Sequence, residues 1–285
     1  MEIATKRLTP GMKLDQDVIG KSGKPIIAKH TELTEMHIEF IEKFLIETVS
    51  VTPLFKSEKE NTDVAIPIQK QRSQLLADEY ETAVMEYKKL FATWENSMPV
   101  EMYSVRKICI SLFEHAIDYS FEAIMHVTKN HENLFYKSVA ISLLSIVLAK
   151  KLKYQKKDWL QIGFAALLSD CGMAKLNAST VTNNIKEMEL HPIYSYKMVE
   201  NVPTLTKQAK MGILQHHEFL DGSGYPAKSD ESKIHPYARM IAVSEFFYHH
   251  YSDDKSKIIQ LMREASGKLD RTMTNILLNE LHGVS

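Results

Sequence analysis

The sequence predicts a mainly α-helical protein that opens with a small α+β module. Three observations predict it. Glycine is scarce, with 10 residues in 285, where average usage of about 7% gives roughly 20. Proline adds only 9, and many-turned sandwiches and barrels need more of both. From Val100 onwards apolar residues recur at helical spacing almost without a break, whereas residues 1–55 carry short extended runs.

Within residues 1–55, Lys13 to Ile19 partly alternates, Gly20 to Gly23 is a turn, and Pro25 to Ala28 resumes an extended run. Together they predict a hairpin. Thr34 to Phe44 sets Met36, Ile38, Phe40, Ile41 and Phe44 at mostly helical spacing. Thr48 to Val51 is rich in β-branched residues and closes the module as a strand. Residues 56–66 are polar and read as a linker. From Gln69 to about Trp94, Leu75, Leu76, Tyr80, Val84, Tyr87, Leu90 and Phe91 share one face of a long helix. That helix is either a spacer, a homodimer seam or an element packed on its own domain.

Helices are predicted over 105–127, 135–152, 159–168, 205–217, 236–250, 255–265 and 270–281. Pro236 fits a first helical turn, and Gly267 with Asp270 fits a break followed by an N-cap. The organisation is therefore residues 1–55, a linker and long helix over 56–100, and a helical domain over 101–285.

Charge nearly cancels, with 35 Lys and Arg against 36 Asp and Glu. That balance gives no basis for a nucleic-acid or anionic-membrane binder. The basic run Lys150 to Lys157 lies between two predicted core helices and reads as a solvated connection. Two cysteines, Cys109 and Cys171, exclude a disulfide framework and a C-x-x-C zinc knuckle. No apolar run approaches the length of a membrane span, and the start lacks a signal-peptide core. A cytoplasmic location is expected.

Three segments carry groups suited to chemistry. His216 and His217 precede a tight turn containing Gly222 and Gly224. Neighbouring side chains inside a helix diverge by about 100°, but at a helix end they can converge on one metal ion. The bland alternative is a solvated helix end, the reading that His249 and His250 keep. Gly222 to Ala227 also satisfies a G-x-G-x-x-A pattern, but no strand precedes it and Pro226 opposes a phosphate-cradling helix there. Asp170 ends a fully apolar helix, where a carboxylate is costly unless paired, bound to a cation or used as an N-cap. His191 precedes Pro192, a context shared by caps and surface residues.

The segment from about Val127 to Leu281 resembles the HD-GYP family, the helical HD-superfamily phosphodiesterases of bacterial cyclic di-GMP signalling. His216-His217-Glu218 with Asp221-Gly222-Ser223-Gly224-Tyr225-Pro226 nearly matches the long motif that names the family. Leu167 to Gly172, His191-Pro192 and Ala238 to Val243 fit its other segments, and residues 1–55 look like the small module often found ahead of it. The resemblance implies a helical HD-superfamily bundle. In the family this bundle holds two or three ions, typically iron or manganese, that activate water against a phosphodiester.

By the same resemblance, Asp170 matches the bridging aspartate, and His191, His216 and His217 match three histidines sharing one metal. Glu245 stands where the family has an aspartate. Lys137 and Ser169 replace two histidines, and Met173 replaces a lysine. Asp254-Lys255-Ser256-Lys257 replaces an arginine-rich, phosphate-clamping stretch, leaving Tyr225 and Lys257 as substrate contacts. A lysine is a poor ligand for a metal that it also repels. The expectation is one divalent metal, iron or manganese, or none, with no catalytic residue assigned and cyclic di-GMP poorly held. The function implied is a degenerate, non-catalytic regulatory or protein-interaction module of cyclic di-GMP signalling. Gly224, Tyr225 and Pro226 would dock a signalling partner or simply pack. The alternative is an active phosphodiesterase with a remodelled site, in which Lys137 supplies the missing cation's charge and Glu245 reaches further.

Overall fold

The computed structural model describes residues 2–20, 23, 25–44, 46–52, 68–116, 119–128, 131, 133–176, 184–252 and 254–282. The linker expected over 56–66 lies outside them. The chain divides into two compact units, Met1–Pro67 and Ile68–Ser285.

In the first unit, β1 (Glu2–Ala4), β5 (Thr48–Thr52) and β2 (Lys13–Leu14) form an antiparallel sheet in the order β1-β5-β2. A separate antiparallel pair joins β3 (Val18–Ile19) to β4 (Pro25–Ile27). The expected hairpin is thus formed, with a bend in its first strand. The chain bends after Leu14, where Asp17 Oδ1 accepts from the Lys29 backbone N–H at 2.6 Å. Before the bend, Leu14 pairs with Val51 on one side and on the other exchanges backbone hydrogen bonds with His30 and Thr31 of the returning chain. Helix α1 (Glu35–Lys43) follows the predicted span, and Leu14, Leu33, Ile41 and Val51 are buried in the unit's core.

Thr34 caps α1 reciprocally with His37: the Thr34 hydroxyl accepts from the His37 N–H, and His37 Nδ1 accepts from the Thr34 N–H, each at 3.3 Å. That geometry needs an unprotonated Nδ1. Burial lowers the His37 pKa to about 4, against the partly offsetting bond to the Glu32 backbone.

Among the described residues, the named elements of the second unit are all helices. Its centre is α5 (Leu134–Lys151), in which every residue from Ser138 to Ala149 is buried. This is the apolar run that the sequence marked as core. Helix α6 (Lys156–Leu168) packs along α5, where the Ser142 hydroxyl donates to the Gly163 carbonyl at 2.9 Å. Helix α2 (Ile68–Glu95) turns Tyr80, Tyr87, Leu90, Phe91 and Trp94 inward. Tyr87, Phe91, Trp94 and Phe135 form edge-on and tilted ring pairs at 5.3–6.3 Å. Helix α2 packs within this unit, so a boundary at residue 101 falls inside the helical body. Its apolar face is too wide to be left to a linker.

The single helix expected over 105–127 is two: α3 (Met102–Ala116) and α4 (Phe121–Thr128). The Ser120 hydroxyl, accepting from the Ala123 N–H at 3.1 Å, restarts the chain with a cap that the apolar periodicity conceals. Two helices escaped the sequence reading, α7 (Ile185–Met188) and α8 (His191–Val199). The remainder are α9 (Lys207–Gln215), α10 (Pro236–His250), α11 (Lys255–Glu264) and α12 (Arg271–Leu281). Asp270 caps α12 as expected, accepting from the Met273 N–H at 3.1 Å. No helix among the described residues is long and apolar enough to cross a membrane.

The pH response of the first unit follows from His37. Its folded pKa lies below the ordinary 6.5, so the unfolded chain takes up the proton first. The linked stability is complete above about 6.5 and is lost as pH falls towards about 4. Protection factors of the Ile41 and Val51 amides, taken against the intrinsic exchange rate at each pH, should fall across that window in the intact chain, and His37→Gln should flatten the response.

Candidate metal centre

Helix ends build the site. The last turn of α6 carries Ser169 and Asp170 into a short 3-10 turn, Cys171–Lys175. His191 opens α8, with Pro192 in its first turn, where the missing N–H costs nothing. His216 and His217 leave the C-terminal end of α9, while α5 and α10 present Lys137 and Glu245 from the side.

Ser195 sets the spacing between Asp170 and His191. Its hydroxyl donates to the Ser169 carbonyl at 2.6 Å and accepts from the Gly172 N–H at 2.7 Å. A Cβ on Gly172 would lie 2.3 Å from the His191 carbonyl oxygen, so only glycine lets the 3-10 turn sit this close to α8.

Asp170 is buried and its two oxygens face different groups. Oδ1 lies 3.1 Å from His191 Nε2 and 3.5 Å from His216 Nε2. The two Nε2 atoms are 3.2 Å apart. His191 Nδ1 lies 2.8 Å from the Met188 carbonyl, and His216 Nδ1 lies 2.7 Å from the Ile213 carbonyl. Carbonyls only accept, so each Nδ1 carries the hydrogen. In neutral rings both Nε2 lone pairs then point at each other and at a carboxylate. Such an arrangement calls for a cation between them, and backbone-anchored Nδ1–H groups are the usual support of metal-ligating histidines.

His217 adds a fourth donor: one ligand atom from each of Asp170, His191, His216 and His217 lies within 4.8 Å of the others. Burial lowers the His217 pKa to about 3, which keeps its ring neutral. Tyr225 stacks on that ring with centroids 4.6 Å apart. Three imidazoles and a carboxylate suit a borderline divalent ion, so the residues present fit a metal.

The other side of Asp170 is occupied by protein. Lys137 Nζ lies 2.8 Å from Asp170 Oδ2 and 3.0 Å from Glu245 Oε1. Burial alone would lower the Lys137 pKa, but the two carboxylates outweigh it and raise it. Burial likewise opposes ionisation of Asp170 and Glu245, yet the Lys137 ammonium holds both well below the usual carboxylate range. Glu245 Oε2 also lies 3.5 Å from His217 Nδ1.

The remaining sequence candidates are placed as follows. The Ser169 hydroxyl turns back to the Ala166 carbonyl at 2.9 Å, and Met173 is half-buried in the 3-10 turn. Lys257 is exposed in the first turn of α11, which Asp254 caps by accepting from the Ser256 and Lys257 N–H groups. The structure brings Lys257 into no contact with the cluster.

Sequence reasoning missed two residues. His249, assigned to a solvated helix end, lies 3.6 Å from Glu245 through its Nε2; the i,i+4 spacing on one helix was the available signal. Glu218 is buried and accepts from the Ala227 N–H at 2.7 Å and the Ser229 N–H at 2.9 Å. It ties down the Gly-Tyr-Pro loop behind His217. The two glycines expected to serve turn conformations differ in their work. Gly222 adopts φ +75°, whereas Gly224 allows close approach: a Cβ there would lie 2.4 Å from His217 O and Phe219 N.

Residues 122–273 match the HD domain family. Over 159 residues the chain is 23% identical to the cyclic di-GMP phosphodiesterase PdeB of Borreliella burgdorferi. That match spans 50% of this chain and 42% of PdeB, less than half of the relative's length. The fold is similar to that of Bd1817, an HDG"Y"P protein from Bdellovibrio bacteriovorus, with a TM-score of 0.56, 17% identity and 99% of each chain covered. At that identity the likeness is one of fold.

Two consequences can be measured by denaturant unfolding of metal-free protein. Lys137→Met strands two buried carboxylates, and breaking such a buried pairing costs on the order of 3–5 kcal/mol. Gly224→Ala forces a methyl group into backbone atoms of the His217 turn and should cost about 2 kcal/mol or more. Ala at the exposed neighbour Ser223 should cost far less.

Proposed function

The chain belongs to the HD domain family, and from that premise we propose that it is a degenerate HD-GYP-type module of cyclic di-GMP signalling. It regulates or docks rather than hydrolyses, and it holds at most one divalent metal. One observation carries this reading: the Lys137 ammonium lies within 3.0 Å of both Asp170 and Glu245. Two-metal hydrolysis needs a second cation against the bridging carboxylate. An ammonium in that place neutralises the carboxylates, repels a second dication and offers it no lone pair.

Asp170, His191, His216 and His217 would hold the one ion, iron or manganese, which when bound supplies Lewis acidity. Beyond it, the chain's own residues offer little to a dianionic dinucleotide. Lys137 spends its charge on two carboxylates, and Lys257 sits beside the capping Asp254. The loss of one charge-stabilising element commonly costs about 10²–10³ in rate, and here several are missing together.

The docking half of the proposal rests on the Gly-Tyr-Pro loop. Glu218 and Gly224 hold it in one shape, and it leaves Tyr225 and Pro226 half-buried at the surface. A loop so restrained presents a preformed surface to a partner signalling protein at low ordering cost.

Elemental analysis of protein purified without chelator should find one metal per chain or none. Incubation with cyclic di-GMP or its linear dinucleotide, with Mn²⁺ or Fe²⁺ added, should give no turnover. Two metals per chain, or turnover that His216→Ala abolishes, would overturn the proposal and establish a remodelled phosphodiesterase in which Lys137 replaces a metal's charge. The variant Lys137→His/Ser169→His/Met173→Lys should take up additional metal.

A further inference from the structure

Helices α11 and α12 flank an open cleft of about 560 Å³ that no residue of the metal centre lines. Its volume falls in the range of small-molecule sites. Met262 and Leu278 contribute apolar wall, and Asn275 and Asn279 contribute amide donors and acceptors. Arg263 and Arg271 face the same space, with His282 beside them, and no carboxylate is among its lining residues.

The two guanidiniums are uncompensated. Among the described residues neither has an ion-pair partner, and every acid nearby on these helices is engaged elsewhere. Glu264 accepts from Gln260 at 2.8 Å. Asp270 caps α12 and pairs with Arg239 at 3.4 Å. Glu280 pairs with Lys151 and accepts from the Phe121 N–H. A second observation points the same way: Thr274 is buried in the cleft wall at 3% exposure, and its hydroxyl has no hydrogen-bond partner. Buried hydroxyls are nearly always satisfied, so one left open beside a cleft marks a missing acceptor or water.

We propose that this cleft is a binding site for a phosphate-bearing small molecule of nucleotide size, held by Arg263 and Arg271. Guanidinium groups bind phosphate oxygens in a bidentate fork, and no other side-chain cation matches that geometry. The asparagine amides supply the neutral contacts that a sugar or base requires, and the apolar wall supplies a surface to stack on. The site does not depend on the reading of the metal centre, and it stands whether or not the chain hydrolyses anything.

The test is calorimetric titration of the full chain with inorganic pyrophosphate and with guanosine monophosphate at low salt. Saturable binding is expected, weakened on the order of tenfold or more in Arg263→Gln/Arg271→Gln, since a hydrogen bond to a charged group is worth about one decade in affinity or more. Asn275→Asp, which puts a carboxylate into the cleft, should weaken binding similarly. His216→Ala should leave it unchanged. The substituted cleft residues are exposed, so their variants should retain the parent's thermal midpoint. Failure of both probes to saturate, or equal binding by the double arginine variant, would overturn the proposal.

Discussion

An ammonium held between two buried carboxylates organises the centre of the helical unit. Each ion alone would be costly to remove from water. Together Lys137, Asp170 and Glu245 leave one net negative charge, and the histidines on the far side of Asp170 face it. The carboxylate of Asp170 is thereby divided: one oxygen belongs to the lysine and the other to His191 and His216. On the imidazole side lone pairs converge, whereas on the lysine side the carboxylate is already neutralised by covalently attached charge.

The scaffold around these charges pairs close glycine approaches with buried hydrogen bonds. Gly172 and Ser195 bring the 3-10 turn against the first turn of α8, which places Asp170 beside His191. Gly224 and Glu218 bring the Gly-Tyr-Pro loop against the end of α9, which places Tyr225 on His217. Both contacts act at helix ends, where the chain leaves the 3.6-residue repeat. Only there can adjacent residues such as His216 and His217 aim at a common point. Core burial along α5 holds the helices, and these two junctions hold the ligands.

Much of this was legible in the residues. Scarce glycine and unbroken helical periodicity foretold the α-helical body, and the buried run of α5 read directly as core. The motif around His216 and His217 marked two members of the cluster that the structure gathers with Asp170 and His191, and the resemblance set Lys137 beside them, where it pairs with Asp170 and Glu245. Where reading failed, a local signal was hidden beneath a stronger one. The cap at Ser120 was masked by continuous apolar spacing, so α3 and α4 read as one helix. The bend after Leu14 was masked by alternation, so the second partner of β2, the strand β5, went unread. His249 was judged by its neighbour His250 instead of by Glu245, one turn away on the same helix.

The sequence by itself determined the helical class, the small N-terminal sheet module and the identities of the groups available for chemistry, because periodicity and residue type are local properties. The tertiary structure alone decided which charges meet. Lys137 and Glu245 are separated by 108 residues, and whether an ammonium at one reaches a carboxylate at the other depends on how α5 packs against α10. Likewise nothing local tells that the Ser169 hydroxyl turns back onto its own helix, or that Glu218 faces the loop instead of the ligands. Electrostatic pairing acts through space over a few ångströms, and only packing converts distant positions in the chain into neighbours at that range.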